Sequence, residues 1–255
     1  MSDMRILTLD IETAPHHGYF WGIWQQNIGL NMLAGVTRML SWAAKWYGSD
    51  EVLFANENSH GTRDMVLEIY DLVNAADVIV GYNSIQFDMK HLNREFIEQG
   101  LMPPTPYKNI DLLAVVKKNF KFTSNKLDYV AGVLLGRHKL KHAGFQLWLD
   151  CMDGNKKAWE MMMDYNIEDV LITEELYTHL RGWISGHPNH GLYVVDQDNL
   201  VCRNCGSTHI NSKGPEFTTT NVFAYQRHKC MDCGANMRGR NSIKGGRKHS
   251  PQVVI

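Results

Sequence analysis

Two carboxylates stand at the end of an apolar segment near the start of the chain. Asp10 and Glu12 lie in the sequence LTLDIETA, which continues the apolar residues 4–9. The period of two along a β-strand places both carboxylates on one face, with Leu9 and Ile11 on the other. Like charges held close together are unfavourable unless a cation neutralises them. Because Mg²⁺ and Mn²⁺ prefer such oxygen ligands, the pair is a candidate metal site; two solvated acids at a strand end are the alternative.

Two further acids, Asp88 and Asp169, lie in or beside predicted helices. Asp88 is in IVGYNSIQFDMKHL, after a short apolar strand and at the start of a predicted helix. An Asp at that place is more often a helix cap than a catalyst. Asp169 is in DYNIEDVLI, and Tyr165 lies one turn earlier on the same helix face. Asp164 and Glu168 are competing acids, so this helix alone is a weak signal.

The surrounding patterns predict the elements that position these acids. Apolar runs predict strands at residues 4–9, 36–47, 51–55 and 77–81, with a hairpin turn at residues 48–50. Helical spacing predicts helices at residues 62–75, 88–99, 109–119, 125–135 and 155–183. Antiparallel strands come first and strand–helix alternation follows, so we predict an α/β fold with a mixed sheet flanked by helices.

In combination the motifs resemble the DEDD (DnaQ-like, RNase H-like) 3′–5′ exonucleases, in the Tyr-containing subgroup called DEDDy. Asp-x-Glu-Thr on a first strand, Asn-x3-Phe-Asp after a later strand and Tyr-x3-Asp on a late helix occur in that order. Residues 124–139, SNKLDYVAGVLLGRHK, are also similar to the exonuclease domains of family B DNA polymerases. The resemblance covers residues 4–180 and implies an RNase H-like mixed five-stranded sheet flanked by helices.

The resemblance also implies an activity and its residues. The activity is metal-dependent 3′–5′ hydrolysis of DNA phosphodiester bonds, in single strands or at 3′ ends, which releases 5′-mononucleotides. The four acids would hold two Mg²⁺ or Mn²⁺ ions, which can acidify a water and stabilise the leaving 3′ oxygen, and the tyrosine would orient that water. The implied catalytic residues are Asp10, Glu12, Asp88, Tyr165 and Asp169, and the implied substrate-binding residues are Thr13, Asn83 and Phe87.

Two alternatives to a DNA exonuclease remain open. An exoribonuclease would use the same residues, because recognising a 2′-OH takes only a few contacts. A catalytically inactive nucleic-acid-binding adaptor would keep the fold, although the complete set of acids argues against it. Since these 255 residues contain no polymerase, proofreading would have to act in trans. Repair, recombination or nucleotide recycling fit equally well. The basic residues 137–142 could contact phosphates, but a solvated face is the favoured interpretation. Trp21 and Trp24 lie in a loop where one ring could stack on a base.

Four of the five cysteines form two C-x2-C pairs separated by 24 residues: Cys202, Cys205, Cys230 and Cys233. Four thiolates at this spacing predict one tetrahedral structural Zn²⁺, which would supply folding energy to a segment too small for a sizeable core. The segment resembles a zinc ribbon with strands near residues 207–212 and 221–229. His209 and His228 need not be ligands, and Cys151 is predicted to be a buried free thiol.

The charged residues, like the motifs, differ between the first part of the chain and the cysteine-containing part. The chain has 26 Lys and Arg against 27 Asp and Glu, yet residues 199–255 contain nine basic and two acidic residues. Basic residues with interleaved aromatics suit a phosphate backbone and exposed bases. Nucleic acid, DNA in the first place, is therefore the expected partner; a replication or repair protein bound through the ribbon is the alternative.

The patterns predict an exonuclease domain at residues 1–186, a linker at 187–198, a zinc ribbon at 199–241 and a flexible basic tail at 242–255. Hydrophobic residues are 44% and charged residues 21% of the chain, which excludes disordered and fibrous classes. No apolar run of about 18 residues occurs, so no membrane partner is expected. The acidic N-terminus does not resemble a signal peptide, and the cytoplasm of a bacterial or phage-infected cell is the expected location.

Overall fold

The chain forms two compact units. One is Arg5–Tyr177, and the other is Thr178–Ile255 together with Met1–Met4. A computed structural model describes residues 4–25, 27–193, 199–212, 217–220 and 223–243. Residues 194–198 of the predicted linker and 244–255 of the predicted tail lie outside the described residues, and the predicted domain boundaries stay predictions. Across the described ranges, no helix is both long enough and apolar enough to span a bilayer.

A mixed five-stranded sheet is the base of the first unit. The strands of this unit are β1 (Ile6–Thr13), β2 (His17–Gly18), β3 (Leu33–Gly35), β4 (Met39–Trp46), β5 (Val52–Asn56), β6 (Val78–Gly81) and β7 (Lys108–Asp111). The sheet order is β5-β4-β1-β6-β7, while β2 and β3 pair separately. The β5, β4 and β1 strands pair antiparallel, and β1, β6 and β7 pair parallel. The predicted α/β fold with a mixed sheet is confirmed.

The helices follow the predicted pattern with two additions. They are α1 (Glu57–His60), α2 (Thr62–Ala75), α3 (Asp88–Glu98), α4 (Leu112–Asn119), α5 (Leu127–Leu135), α6 (Gln146–Met152) and α7 (Lys156–Leu180). The sequence patterns missed α1 and α6 because helices of four and seven residues are too short to show a helical period. The long predicted helix has no break inside α7; a 3-10 turn at Arg181–Trp183 follows it.

Residues 109–111 are the end of a strand, and the prediction that they begin a helix was wrong. The β7 strand pairs with β6 through Asp111, and α4 begins only at the next residue. The physical reason is a cap: Oδ1 of Asp111 accepts hydrogen bonds from the amides of Leu113 at 2.9 Å and Ala114 at 3.3 Å. A side chain that satisfies the first free amides fixes the helix start at the following residue.

Alternation along β1 gives the sheet an apolar face and a polar face. Leu7, Leu9 and Ile11 are at most 2% exposed and pack in one cluster with side chains of β4, α2 and α3. The intervening side chains face α7; for example, Asp10 is hydrogen-bonded to Asn166 of that helix. Since a slip of one residue would exchange the two faces, the apolar core determines on which side the acids lie.

The second unit contains a small antiparallel sheet. Its strands are β8 (Ile210–Asn211), β9 (Phe217–Thr219), β10 (Ala224–Cys230) and β11 (Asn236–Ser242). The central strand is β10, which pairs with the other three. The predicted strands near 207–212 and 221–229 are shorter than expected, and residues 221–222 lie outside the described residues. The β9 and β11 strands were not predicted, because neither shows the apolar alternation that marks a strand.

Candidate active site and metal centre

Three of the predicted acids converge on the polar face of the sheet. Asp10 and Glu12 lie on β1, and Asp169 lies on α7 with only 1% of its surface exposed. One carboxylate oxygen from each residue lies within 4.8 Å of the other two. The spacing on β1 and the position in α7 therefore bring side chains about 160 residues apart in sequence into one cluster.

Asp88 joins this cluster through the backbone of β1. Its Oδ1 accepts a hydrogen bond from the amide of Ile11 at 3.1 Å, and Ile11 lies between Asp10 and Glu12. Phe87 occupies the N-cap position of α3, so the buried Asp88 carboxylate is directed at β1 instead of capping the helix. All four predicted acids thus surround the end of one strand.

Burial and mutual repulsion raise the pKa values of these carboxyl groups. The pKa of Glu12 rises to about 8, first because of burial and then because of the charge of Asp169. The pKa of Asp88 rises to about 7, also mainly because of burial. That of Asp10 lies well above its usual range, through burial and the charges of Asp169, Asp88 and Glu12. The cluster therefore favours bound protons or added cations.

The donor set fits hard divalent cations. Carboxylate oxygens are the ligands that Mg²⁺ and Mn²⁺ prefer. Burial increases the affinity of a carboxylate for a cation, because little water is present to stabilise the negative charge. Oδ1 of Asp169 is buried and has no hydrogen-bond partner among the described residues. A buried carboxylate oxygen without a partner carries a desolvation penalty that a metal ion would remove.

A lysine that the sequence analysis interpreted as part of a solvated face lies inside the site. Nζ of Lys139 is 2.6 Å from Oδ2 of Asp169 and 2.5 Å from the phenol oxygen of Tyr165. Burial lowers the pKa of this lysine, but the nearby Asp169 charge and the phenol raise it by more. Lys139 is therefore a fixed positive charge beside the acids.

Lys139 reaches the site because its neighbours are held in place. Arg137 forms ion pairs with Glu168 at 2.6 Å and with Glu175 at 2.8 Å, both on α7. Oδ1 of Asp128 accepts a hydrogen bond from the amide of Lys139 at 2.8 Å. The signal for this arrangement was present in the sequence as a basic run, but nothing in the run shows which of its charges turns inward.

Tyr165 lies beside Asp169 on the same face of α7. Burial raises the pKa of this phenol above its ordinary value, and the charge of Asp169 raises it further. The hydroxyl group is therefore protonated at neutral pH and is suited to hydrogen bonding, not to proton abstraction. The ring packs edge-on against His142 at 4.7 Å and Trp148 at 6.1 Å.

Two positioning residues were missed by the sequence analysis. Nδ2 of Asn166 donates to Oδ2 of Asp10 at 2.7 Å, and Oδ1 of Asn166 accepts from the Ser41 hydroxyl at 3.1 Å. Nε1 of Trp148, on the unpredicted α6, donates to Oε2 of Glu12 at 3.2 Å. Both contacts fix the orientation of a predicted ligand, and neither has a motif by which sequence reasoning could find it.

Two of the predicted substrate-binding residues, Thr13 and Phe87, are sequence neighbours of Glu12 and Asp88, and Asn83 lies in the loop before α3. Thr13 follows Glu12 at a register shift between β1 and β4. Asn83 has a φ of +67°, and its amide donates to Oδ1 of Asp111 at 3.0 Å. Phe87 is 38% exposed, and its ring lies 4.7 Å from that of His91. Their role in substrate binding stays a prediction.

The tryptophans of residues 21–46 divide into buried and exposed members. Trp42 is 2% exposed and belongs to the core, and Trp46 packs against that core. Trp21 and Trp24 are 101% and 82% exposed, in the connection between β2 and β3. The two rings expected in a loop are thus open to solvent, and base stacking by either of them stays a prediction.

The four paired cysteines form the candidate metal centre of the second unit. The four sulfur atoms lie within 4.8 Å of one another, and they belong to Cys202, Cys205, Cys230 and Cys233. The sulfurs of Cys202 and Cys233, and those of Cys205 and Cys230, are 3.6 Å apart, far beyond a disulfide bond. Four soft sulfur donors around one point are the chemistry of a structural zinc site, so these residues fit the predicted ion.

The turns of both C-x2-C pairs have the geometry that the following glycines allow. Gly206 and Gly234 have φ values of +76° and +77°, a region that residues with a Cβ rarely adopt. The two neighbouring histidines are engaged outside the sulfur cluster: Nδ1 of His209 is 2.9 Å from Oδ1 of Asp232, and Nδ1 of His228 is 2.9 Å from the Ser212 hydroxyl. The fifth cysteine, Cys151, is buried in the first unit.

Comparison with known proteins identifies the first unit. The family model described as RNase_H superfamily matches residues 29–181. The chain is 22% identical over 186 residues to a putative DNA polymerase 060R of Frog virus 3 (isolate Goorha), covering 57% of this chain and 18% of that protein. The family B DNA polymerase of the archaeon Pyrobaculum calidifontis superposes with a TM-score of 0.53 at 20% identity, covering 69% of this chain and 24% of that polymerase.

Each of these matches covers a defined part of the proteins compared. The chain spans less than a quarter of the length of either polymerase. The family model begins after Asp10 and Glu12, so the placement of these two acids rests on the geometry of β1. The likeness to the archaeal polymerase is a likeness of fold, and the predicted RNase H-like sheet is confirmed.

Removing the ammonium group of Lys139 should strengthen cation binding at the acids. We expect Lys139→Met to tighten Mn²⁺ binding by roughly tenfold or more, because a positive charge 2.6 Å from Asp169 competes with the ion. Electron paramagnetic resonance titration with Mn²⁺ measures the change. Lys141→Met is the matched control, since Lys141 is exposed two residues later. Equal or weaker binding in Lys139→Met would show that the lysine does not compete.

Without added divalent cations, the folded state should lose stability as pH rises from about 5 to 8, that is, from the ordinary carboxyl pKa to the raised one. Glu12 and Asp88 have raised pKa values of about 8 and 7, so the folded state binds protons that the unfolded state has already released. Thermal unfolding should show a falling melting temperature over this range, with a smaller fall in Glu12→Gln and in saturating Mg²⁺. Glu160→Gln, an exposed acid of α7, is the control. A melting temperature that rises over this range contradicts the interpretation.

Proposed function

The chain belongs to the RNase H superfamily, and we propose that it is a metal-dependent nuclease of the DEDDy type. In this proposal it removes nucleotides from the 3′ end of DNA and releases 5′-mononucleotides. The observation that carries the proposal is the convergence of Asp10, Glu12 and Asp169 within 4.8 Å, beside the buried Asp88. A purely structural role would leave four crowded acids, two of them buried, with a large unfavourable energy and no function.

In this proposal Asp10, Glu12, Asp88 and Asp169 hold two Mg²⁺ or Mn²⁺ ions. When bound, such ions supply the positive charge that acidifies a water and stabilises the leaving 3′ oxygen. Asn166 and Trp148 hold the carboxylates of Asp10 and Glu12 in one orientation, which reduces the reorganisation that ion binding requires.

The tyrosine and the lysine have separate proposed tasks. Lys139 donates a hydrogen bond to the phenol oxygen of Tyr165, and the phenol proton is engaged in a hydrogen bond with the carboxylate of Asp169. Since the raised pKa keeps that proton in place, Tyr165 orients the attacking water and does not remove its proton. The ammonium group of Lys139 lies where it can also stabilise negative charge that develops on the phosphoryl group.

Thr13, Asn83 and Phe87 are proposed to hold the terminal nucleotides. The half-exposed ring of Phe87 offers a stacking surface directly before Asp88, and the backbone around Asn83 is fixed by Asp111. DNA is favoured over RNA because both matched proteins are named as DNA polymerases. The expected setting is the cytoplasm of a bacterial or phage-infected cell.

For the second unit we propose one structural Zn²⁺ held by the four cysteines of the ribbon. The ion would stabilise the two C-x2-C turns, because they bury very little apolar surface together. Among the described residues, the only buried apolar side chain beside the sulfurs is Ala235, at 2% exposed. Thiolate ligands stay reduced in a cytoplasmic setting.

The proposed activity predicts a strand polarity and a specific dependence on Asp10. A single-stranded DNA labelled at its 5′ end should yield progressively shorter labelled products in Mg²⁺ or Mn²⁺, and a 3′-labelled strand should lose its label first. Asp10→Asn should lower the rate at least about a hundredfold because it removes a charged ligand. Asp164→Ala, an exposed acid on the same helix as Asp169, should leave the rate unchanged.

Release of a 5′ label first would reject the proposed polarity. Faster digestion of an RNA of the same sequence would identify RNA, and not DNA, as the preferred substrate. If no condition degrades any strand, or if Asp10→Asn remains active, the site does not catalyse hydrolysis as proposed.

The zinc proposal predicts one tightly bound ion per chain. Cys202→Ser should reduce the zinc content of the purified protein from one to near zero, and should expose the second unit to limited proteolysis because the ion supplies its folding energy. Cys151→Ala is the matched control and should keep one zinc. Elemental analysis by mass spectrometry provides the measurement; iron in place of zinc, or full metal content in Cys202→Ser, would contradict the assignment.

A further inference from the structure

The second unit contains a groove lined by arginine side chains. Its volume is about 790 Å³, and the arginines that line it are Arg203, Arg227, Arg238 and Arg240. We call this surface the arginine groove. Guanidinium groups are planar forks that match phosphate oxygens in pairs and stay charged at every physiological pH. The groove therefore has the chemistry of a site for phosphate groups.

Three of these side chains are placed by the fold. Nη2 of Arg203 donates to the carbonyl oxygen of His187 at 2.9 Å, which fixes the side chain at the groove wall. The guanidinium of Arg238 lies 4.4 Å from the centre of the Tyr225 ring, a cation–π contact. Arg240 is exposed two residues after Arg238 on β11 and lines the same groove.

Cross-strand register concentrates the positive charge on this face. Arg227 of β10 is directly opposite Arg238 of β11. Like charges in directly opposed positions destabilise a sheet. A bound polyanion would be attracted by both guanidinium groups.

An aromatic surface continues the groove at one end. Arg240 lines both the groove and a neighbouring depression that contains Phe223 and Tyr225. The two rings are 6.5 Å apart in an edge-on arrangement, and Phe223 is 51% exposed. Exposed aromatic rings stack on unpaired bases, whereas a duplex keeps its bases paired and stacked inside. Rings that adjoin a row of cations therefore favour a single strand over a duplex.

We propose that the arginine groove and the adjoining Phe223 form a second binding site for single-stranded nucleic acid. Phosphates would bind at Arg203, Arg238 and Arg240, and an unpaired base would stack on Phe223. The site uses none of the acids of the first unit, so it goes beyond the proposed nuclease activity. Its contacts are to the backbone and to a ring face, so binding should be independent of sequence and strongly dependent on salt.

Fluorescence anisotropy of a labelled oligothymidine tests this site. The full-length, zinc-loaded chain carries Asp10→Asn in all cases, and no Mg²⁺ or Mn²⁺ is added, so that the strand stays intact. The double variant Arg238→Ala with Arg240→Ala should weaken binding at least tenfold. It should also make the negative slope of log affinity against log salt shallower by about 1.4, that is, by about 0.7 for each lost phosphate contact. Phe223→Ala should weaken binding roughly tenfold with the slope unchanged.

Two controls make the outcome specific. Lys156→Ala with Lys157→Ala removes two exposed charges from the start of α7 and should leave affinity and slope unchanged. Arg238→Lys with Arg240→Lys keeps the charge and should keep most of the slope, which provides a second test if the alanine pair does not fold. A duplex of the same length should lose no affinity in Phe223→Ala.

An unchanged affinity and slope in the alanine pair overturns the site, and the groove would then be a candidate for an acidic protein partner. Equal effects of Phe223→Ala on the single strand and the duplex overturn the stacking role. Failure of this site and failure of the nuclease proposal can be told apart. A chain that binds through the groove but hydrolyses nothing rejects only the nuclease proposal.

Discussion

The crowding of four carboxylates around the end of one strand is the constraint on which the first unit depends. Each of these acids would be more stable in water, and their pKa values are raised by burial and by one another. Such a cluster persists only because the rest of the unit provides the stability: an apolar face of β1 behind it, and partners such as Lys139 and Asn166 beside it. A site that is unfavourable without cations is suited to binding them.

The supporting contacts show how the fold keeps these acids in place. Asp111 caps α4, and its carboxylate also accepts hydrogen bonds from the backbone amides of Asn83 and Ile85. One side chain therefore fixes the loop that leads to Asp88. Gly81 begins that loop, where a Cβ would lie 2.6 Å from the Cβ of Ser84. The close turn therefore requires glycine, and it carries the chain from β6 to α3 in a fixed direction.

The two units are stabilised by different physical means. The first has a continuous apolar core formed by the sheet, α2 and α3. The second has a small cluster of sulfurs with little apolar support, and its sheet carries arginines in opposed positions. Each unit therefore places unfavourable charge where a ligand of opposite charge would bind: cations at the carboxylates, and phosphates at the guanidinium groups.

The sequence by itself determined the strand alternation at Asp10 and Glu12, the helical spacing of Tyr165 and Asp169 and the pairing of the cysteines, because each is a short-range periodicity. It also predicted the mixed sheet. Only the tertiary structure decided that Lys139 turns inward, that Asn166 and Trp148 hold the acids, and that Asp111 ends a strand. These contacts join residues far apart in sequence or choose one among several equivalent charges. No local sequence pattern contains this information, because burial and the side chains of neighbouring elements determine which of these contacts form.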